Sequence, residues 1–114
     1  MKVFLDDTRV PSEVHGEGAN DEWILTSSVA AVKEYLRSGN VTHLSLDNDL
    51  GYDEPEGHTV VKWMIDNNIW PTEEIYVHSA NIVRATQMRA DINRYYYRCV
   101  KVQWERERKS NEQS

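Results

Sequence analysis

Short apolar runs alternate along the chain with stretches in which apolar residues recur every three or four positions. This alternation predicts a parallel α/β sheet with helices between its strands. The apolar runs predict four strands, at residues 3–5, 23–26, 41–46 and 75–77. The periodic stretches predict helices that begin after Ser27 or Ser28, after Gly57 and near Ile82. Residues 6–21 are polar and contain proline and glycine, so we predict a loop between the first two strands.

The pattern near the C-terminus fits two different structures. Val100, Val102 and Trp104 alternate with polar residues, as they would in a fifth strand. If the helix continued instead, one of its faces would carry Met88, Ile92, Tyr95, Cys99 and Val102. We favour the short strand. Residues 105–114 are wholly polar and are expected to fray, which leaves one domain at residues 1–104.

The composition is that of a small globular domain. The chain has 114 residues, 39% hydrophobic and 28% charged, and this length allows one hydrophobic core. It has no apolar run long enough to cross a membrane, and from residues 1–7 we expect no secretory leader. Its single cysteine excludes an internal disulfide. We therefore expect a cytoplasmic protein without membrane association and without an obligate protein partner.

Charge is distributed unevenly along the chain. Residues 1–81 carry 5 Lys or Arg and 15 Asp or Glu, a net of −10, whereas residues 82–114 carry 8 and 4, a net of +4. The overall net charge of −6 argues against a surface devoted wholly to nucleic acid. A basic surface helix explains the second segment more simply than a nucleic-acid patch does, because basic and aromatic residues are not clearly interleaved.

Three of the four predicted strands end in polar side chains. Asp6 and Asp7 follow the first strand, residues 47–49 (Asp-Asn-Asp) follow the third, and residues 78–81 (His-Ser-Ala-Asn) follow the fourth. Because the carboxyl ends of parallel strands share one edge, we expect these groups to converge there. Neighbouring carboxylates need a proton or a cation, and oxygen ligands without a softer donor suit Mg²⁺. The sequence therefore favours a metal or phosphate site over aspartates that merely cap loops.

The fourth strand end offers groups for acid–base chemistry and phosphate binding. His78 is the natural general acid or base, since its ordinary pKa lies near neutrality, and a purely structural histidine is the equal alternative. Ser79 is expected to contact phosphate. Asn81 is expected to cap the last helix, whose N-terminus would then face the pocket.

Basic residues just beyond the strand ends extend this set. Arg9 and Arg84 could each clamp a phosphate, although a solvated surface arginine is the default for both. His58 could face the pocket, but a plain helix-start role is favoured. His15 and His43 have no supporting context.

Three motifs in register carry a family resemblance. Residues 5–9 (Leu-Asp-Asp-Thr-Arg), residues 46–51 (Leu-Asp-Asn-Asp-Leu-Gly) and residues 78–81 together resemble the cyclic-phosphate processing receiver-like domain, a divergent branch of the response-regulator receiver fold. The resemblance covers roughly residues 2–95. It implies a flavodoxin-like three-layer sandwich with a four- or five-stranded parallel sheet, in which the loop at residues 8–22 replaces the first helix.

The resemblance also implies roles for single residues. Asp6 and Asp7 match the metal-binding acids, Asp47 the phosphoacceptor of ordinary receivers, and Ser79 their hydroxyl position. The expected activity is processing of a cyclic phosphate, such as an RNA 2′,3′-cyclic phosphate end or a cyclic nucleotide.

The chain departs from the family pattern at several positions. Asn48 stands where the family often has a histidine, which would shift catalysis to His78 or His58. Ile82 and Arg84 replace a proline and a glycine, so Arg84 would bind phosphate by direct charge. Lys101 is near the position of the lysine of ordinary receivers but lacks the proline that follows it, which argues against aspartyl-phosphate switching.

Two functions follow as hypotheses. In the first, Asp6, Asp7 and Asp47 hold Mg²⁺ or Mn²⁺ for hydrolysis of a cyclic phosphate, with His78 as general acid and Asp49 as a further ligand or base. Ser79, Asn81, His58 and the two arginines would then contact the substrate, a small cyclic nucleotide or a cyclic-phosphate-ended RNA. In the second, a non-catalytic receiver-like module accepts phosphate on Asp47 or sequesters a cyclic nucleotide.

Overall fold

The computed structural model describes residues 1–113 and contains a four-stranded, all-parallel sheet. The strands are β1 (Lys2–Leu5), β2 (Trp23–Thr26), β3 (His43–Leu46) and β4 (Glu74–Val77), in the order β2-β1-β3-β4. The four strands end level, because Leu5 pairs with both Thr26 and Leu46, and Leu46 pairs with Val77. The predicted α/β receiver-like fold is confirmed.

Helices connect and follow the strands. They are α1 (Ser12–His15), α2 (Ala19–Glu22), α3 (Val29–Arg37), α4 (His58–Asn67), α5 (Ile82–Ile92), a π-helical segment (Asn93–Val100) and α6 (Lys101–Gln113). Helix α3 begins at the predicted cap, where the Ser28 hydroxyl accepts a hydrogen bond from the Ala31 N–H. None of the helices within residues 1–113 has the length and apolar character needed to cross a membrane.

The main core lies on one face of the sheet. Side chains alternate along each strand, so Val3 and Leu5 of β1 point to the same face as Leu44 and Leu46 of β3. Helices α3, α4 and α5 cover this face with buried residues Val32, Leu36, Val60, Val61, Met64, Met88 and Ile92. The core thus holds the strands rigidly beneath the edge at which they end.

The opposite face has a thinner cover. The loop at residues 8–22 contains only the four-residue helices α1 and α2, in agreement with the predicted absence of a long first helix. Phe4, Ala19 and Trp23 form a second, small core under this loop. Tyr76 remains 39% exposed on the same face, so this third layer does not reach across the whole sheet.

The predicted fifth strand at residues 95–104 is wrong. Residues 93–100 form a π-helical segment and the chain continues as α6, which also includes residues 105–113 that were expected to fray. The extra residue per turn of a π-helix moves the buried position from Tyr95 to Tyr96, which is fully buried. Burial of this large ring in the main core outweighs the local alternation of apolar residues that favoured a strand.

Candidate functional site

The level strand ends bring three carboxylates together. Backbone hydrogen bonds continue one residue past the strands, from Asp6 N–H to the Thr26 carbonyl and from Asp47 N–H to the Leu5 carbonyl. Asp6, Asp7 and Asp47 each offer an oxygen, and these oxygens lie within 4.8 Å of one another. We call these three residues the carboxylate cluster. Asp6 and Asp47 are buried whereas Asp7 is exposed, so the cluster opens to solvent at Asp7.

Asp6 is held by donors on both of its oxygens. Its Oδ1 accepts hydrogen bonds from the N–H groups of Thr8 (2.9 Å) and Arg9 (3.0 Å). Its Oδ2 lies 3.0 Å from His78 Nε2 and 3.3 Å from Arg9 Nε. Burial alone would raise the pKa of Asp6, but these hydrogen bonds bring it below the ordinary value. Asp6 is therefore a fixed, ionised carboxylate.

The pKa of Asp47 is shifted in the opposite direction from that of Asp6. Burial and then the charge of Asp6 raise its pKa above the ordinary value. A hydrogen bond from the Asn48 N–H (2.8 Å) and one from Ser79 act against this shift. Arg9 also opposes it, since its Nη2 lies 3.6 Å from Asp47 Oδ1. Arg9 thus bridges Asp6 and Asp47 and supplies part of the positive charge that the cluster needs.

His78 lies behind the cluster rather than at its mouth. Its ring stacks on Phe4 with the centroids 4.4 Å apart and the planes at 6°. Nε2 contacts Asp6, and Nδ1 lies 2.7 Å from Ser45 Oγ. Burial lowers the pKa of His78 to about 4, so the ring is neutral at physiological pH. Both ring nitrogens are engaged inside the protein, where a general acid would need one of them free to reach substrate.

His15 is the residue that sequence reasoning missed. Its Nε2 lies 2.9 Å from Ser45 Oγ, and its ring stacks on Trp23 at 4.4 Å. The available signal was the alternation of β3, which places Ser45 on the same face as Phe4 and so beneath the loop at residues 8–22. Nothing local in the sequence indicates which loop residue meets that serine.

His58 stands at the start of α4, and Asn48 orients it. The Asn48 Oδ1 accepts a hydrogen bond from the His58 backbone N–H (3.0 Å) and lies 3.1 Å from His58 Nδ1. Glu56 Oε2 lies 3.0 Å from the same Nδ1. With Nδ1 as the donor, Nε2 is the basic nitrogen, and within residues 1–113 it makes no hydrogen bond.

Gly57 allows the approach of α4 to the site. A Cβ at this position would lie 1.7 Å from the backbone oxygen of Asp47, a distance that no side chain can occupy. The Gly57 N–H also donates to the Asn48 carbonyl at 2.8 Å. Glycine is therefore required here, and its close approach to Asp47 places His58 in contact with Asn48.

The remaining predicted site residues, Asn81, Arg84 and Asp49, lie outside the carboxylate cluster. Asn81 caps α5, since its side chain accepts a hydrogen bond from the Arg84 N–H at 3.1 Å. The Arg84 Nε lies 3.7 Å from Glu56, which links α5 to the loop that precedes α4. Asp49 is exposed and accepts from the Asn48 amide at 3.0 Å, and it is not part of the carboxylate cluster.

Lys101 lies at the opposite end of the strands from the carboxylate cluster. Its Nζ donates to the Glu73 carbonyl (2.7 Å) and contacts Glu74 Oε1 (3.0 Å), at the residue where β4 begins. This is the opposite edge of the sheet from the cluster. The lysine that would pair with a phosphorylated Asp47 in an ordinary receiver is thus not supplied by Lys101.

A groove between α4 and α5 opens beside His58 and Arg84. Its volume is about 390 Å³. It is lined by His58, Val61, Lys62, Ile65, Arg84, Gln87, Met88, Asp91 and Tyr95. The groove therefore combines apolar side chains with polar and basic ones.

Comparison with known proteins identifies the family. A search of curated proteins and a search of solved structures each found no significant match. The family described as "Cyclic-phosphate processing Receiver domain" matches residues 1–94. This range includes the whole carboxylate cluster and all four strands. The chain therefore belongs to the cyclic-phosphate processing receiver domain family.

Proposed function

We propose that this protein hydrolyses a cyclic phosphate, in an RNA 2′,3′-cyclic end or a cyclic nucleotide, at the carboxylate cluster with Mg²⁺ or Mn²⁺. The observation that carries the proposal is the approach of the Asp6, Asp7 and Asp47 oxygens to within 4.8 Å of one another. The family description, which links this receiver domain to cyclic-phosphate processing, supports the choice of substrate class.

The donor set suits a hard divalent cation. All three donors are carboxylate oxygens, which Mg²⁺ and Mn²⁺ prefer. Hydrogen bonds hold the pKa of Asp6 below its ordinary value, whereas burial and then the neighbouring Asp6 charge raise the pKa of Asp47, and a bound cation would favour the ionised form of both. When bound, the ion would neutralise phosphate charge and activate a water molecule.

Basic and hydroxyl groups at the rim would hold the phosphate. Arg9 uses Nε and Nη2 on the carboxylates, so its remaining N–H groups are available to a phosphate oxygen. Ser79 hydrogen-bonds to Asp47 and lies on the same loop as the cap of α5. Arg84 is 41% exposed at its side chain and faces the groove.

His58 is the proposed proton-transfer residue. Glu56 and Asn48 orient its Nδ1 and leave the Nε2 lone pair open to a reacting water or leaving oxygen. His78, buried and neutral, would instead hold Asp6 in place. In this assignment the role first expected of His78 passes to His58.

The groove would receive the nucleoside part of the substrate. Its volume of about 390 Å³ is sufficient for a base and a ribose. Buried Val61 and Met88 provide an apolar floor, and Lys62 and Arg84 provide charge for phosphate. The position of the groove next to His58 supports a nucleotide substrate over a simple phosphate ester.

The test measures turnover of 2′,3′-cyclic mononucleotides, cyclic-ended RNA and cyclic dinucleotides with Mg²⁺ or Mn²⁺. We expect Asp47→Asn and His58→Gln each to lower kcat at least about 100-fold on the substrate that is turned over. His43→Gln, at the other end of β3, is the matched control and should retain the wild-type rate.

Two results would overturn the proposal. Saturable binding of a cyclic nucleotide that is recovered intact would leave a sequestering module. Covalent labelling of Asp47 by a small phosphodonor, without hydrolysis of any cyclic phosphate, would leave a phosphoacceptor.

A further inference from the structure

A line of hydrogen bonds joins the loop at residues 8–22 to the carboxylate cluster. His15 Nε2 lies 2.9 Å from Ser45 Oγ, which lies 2.7 Å from His78 Nδ1. His78 Nε2 lies 3.0 Å from Asp6 Oδ2. Ser45 is fully buried, and the exposed fractions of Asp6 and His78 are 2% and 9%. Asp6 and His78 follow the ends of β1 and β4, Ser45 lies within β3 and His15 lies in the loop at residues 8–22, so only the folded chain assembles them.

The chemistry of the groups fixes the direction of every donor. Asp6 Oδ2 also meets Arg9 Nε, which always carries a proton, so this oxygen is an acceptor and His78 Nε2 donates to it. In this tautomer His78 Nδ1 is the acceptor. The Ser45 O–H must then donate to Nδ1. The Ser45 oxygen in turn accepts from His15 Nε2–H. All three hydrogen bonds are therefore donated in the same direction, from His15 towards Asp6.

Ring stacking holds both histidines in place. The His78 ring lies parallel to Phe4, and the His15 ring lies parallel to Trp23 with 8° between the planes. Within the described residues no buried side-chain nitrogen or oxygen lacks a hydrogen-bond partner. The line is thus fully satisfied, which is the condition under which a buried polar network rigidifies its surroundings.

We propose that His15 and Ser45 are positioning residues for the carboxylate cluster. They hold the His78 ring with Nε2–H directed at Asp6, and His78 in turn fixes the orientation in which the Asp6 carboxylate meets a divalent cation. The loop that stands in place of a first helix therefore supports the site. The inference rests on the proposed function only for the cation, because the hydrogen bonds can be observed without it.

The test uses two variants and one control in the full-length protein. His15→Phe keeps an aromatic ring for Trp23 but removes the donor to Ser45, and Ser45→Ala removes the bridge itself. His43→Gln changes a third, partly buried histidine at the start of β3 and is the control. Two quantities are measured: the His78 Nε2–H proton resonance, and the Mn²⁺ dissociation constant by electron paramagnetic resonance.

We expect both variants to speed solvent exchange of the His78 Nε2–H proton and to weaken Mn²⁺ binding about tenfold. The His43→Gln protein should match the wild type in both measurements. His15→Phe guards against a folding artefact in Ser45→Ala, since His15 is only partly buried.

Unchanged exchange of the His78 proton in both variants would overturn the inference. An unchanged Mn²⁺ affinity together with a perturbed His78 proton would limit the line to a structural role and would also overturn it. A wild-type protein that binds no Mn²⁺ would refute the metal site of the proposed function, and the His78 resonance alone would then decide whether His15 and Ser45 position the ring.

Discussion

At the scale of single residues, Asn48 fixes the position of the partly exposed His58 imidazole. The family often has a histidine here, and in this chain the Asn48 amide instead binds His58, ten positions later. Gly57 makes this contact possible, because only a residue without Cβ allows α4 to approach the Asp47 carbonyl. The histidine that contacts Asn48 therefore stands at the start of a helix.

The pKa of His78 predicts a pH dependence of stability. Its folded pKa of about 4 lies below the ordinary value of 6.5, so the unfolded chain binds the proton more readily. The contribution of His78 to the free energy of unfolding is fully present above about pH 6.5 and is lost as the pH decreases towards 4. The loss from this group is up to about 3 kcal/mol. Urea unfolding in EDTA between pH 7.5 and 4.5 measures it.

Other groups with shifted pKa values, among them His15 and Asp47, modify this pH dependence. Burial also lowers the pKa of His15, which adds to the loss in the same direction. The raised pKa of Asp47 acts in the opposite direction at the acid end of the range. His78→Gln should flatten the dependence on pH whatever its absolute stability, and a slope equal to that of the wild type would contradict the prediction.

The position of Arg9 predicts that its guanidinium competes with a divalent cation for Asp6 and Asp47. Its guanidinium contacts both Asp6 and Asp47, where a divalent ion would bind. We expect Arg9→Gln to bind Mn²⁺ about three- to tenfold more tightly, because the ion no longer competes with that charge. Inorganic phosphate should bind the Mn²⁺-loaded variant more weakly. Arg37→Gln on α3 is the control, and weaker Mn²⁺ binding by Arg9→Gln would contradict the competition.

At the scale of elements, the helical C-terminal segment takes over the edge of β4 that a fifth strand would cover. The Tyr97 hydroxyl accepts a hydrogen bond from the Ile75 N–H (3.0 Å) and donates to Glu74 (2.7 Å). Arg89 donates to the Val77 carbonyl at 2.9 Å. Side chains thus satisfy strand groups that would otherwise be free to pair with another chain.

Tyr97→Phe tests this arrangement. The variant leaves the Ile75 N–H without its acceptor, and we expect a loss of about 1–2 kcal/mol in the free energy of unfolding. Burial, followed by the hydrogen bond to Glu74, raises the pKa of Tyr97 to about 12, in keeping with a hydroxyl held inside the protein. Tyr95→Phe, an exposed neighbour, should change the free energy by less than about 0.5 kcal/mol. Equal effects of the two substitutions in urea unfolding would show that the edge contact contributes nothing.

At the scale of the whole molecule, the uneven charge of the sequence becomes a spatial separation. The acidic first 81 residues form the sheet and helices α1 to α4, and the basic remainder forms the helical segment from α5 to α6. The described chain measures 51 × 29 × 24 Å. Residues 103–112 of α6 are exposed but carry three basic and three acidic residues, so the net positive charge lies at residues 82–102. Arg89, Arg94 and Arg98 are exposed there, which agrees with a basic helical surface, the simpler of the two explanations considered from the sequence.

The sequence by itself determined the elements and the edge at which chemistry concentrates. Apolar runs bounded by acids predict strands whose ends meet. Short-range rules limited the cap of α3 to Ser27 or Ser28, of which the structure has Ser28, and they correctly predicted Asn81 as the cap of α5. The convergence of Asp6, Asp7 and Asp47 was therefore predictable, because parallel strands align their carboxyl ends whatever the details of packing. The same argument also included Asp49, which lies outside the cluster.

Only the tertiary structure decided the surroundings of those acids. Ser45 meets His15 across 30 residues and His78 across 33, and no local pattern encodes which side chains meet beneath a loop. The same holds for residues 95–104, where burial of Tyr96 outweighed a local alternation typical of strands. Local preferences amount to tenths of a kcal/mol per residue, whereas burying one aromatic side chain contributes about 1.5–3 kcal/mol, so the packed core decides wherever the two disagree.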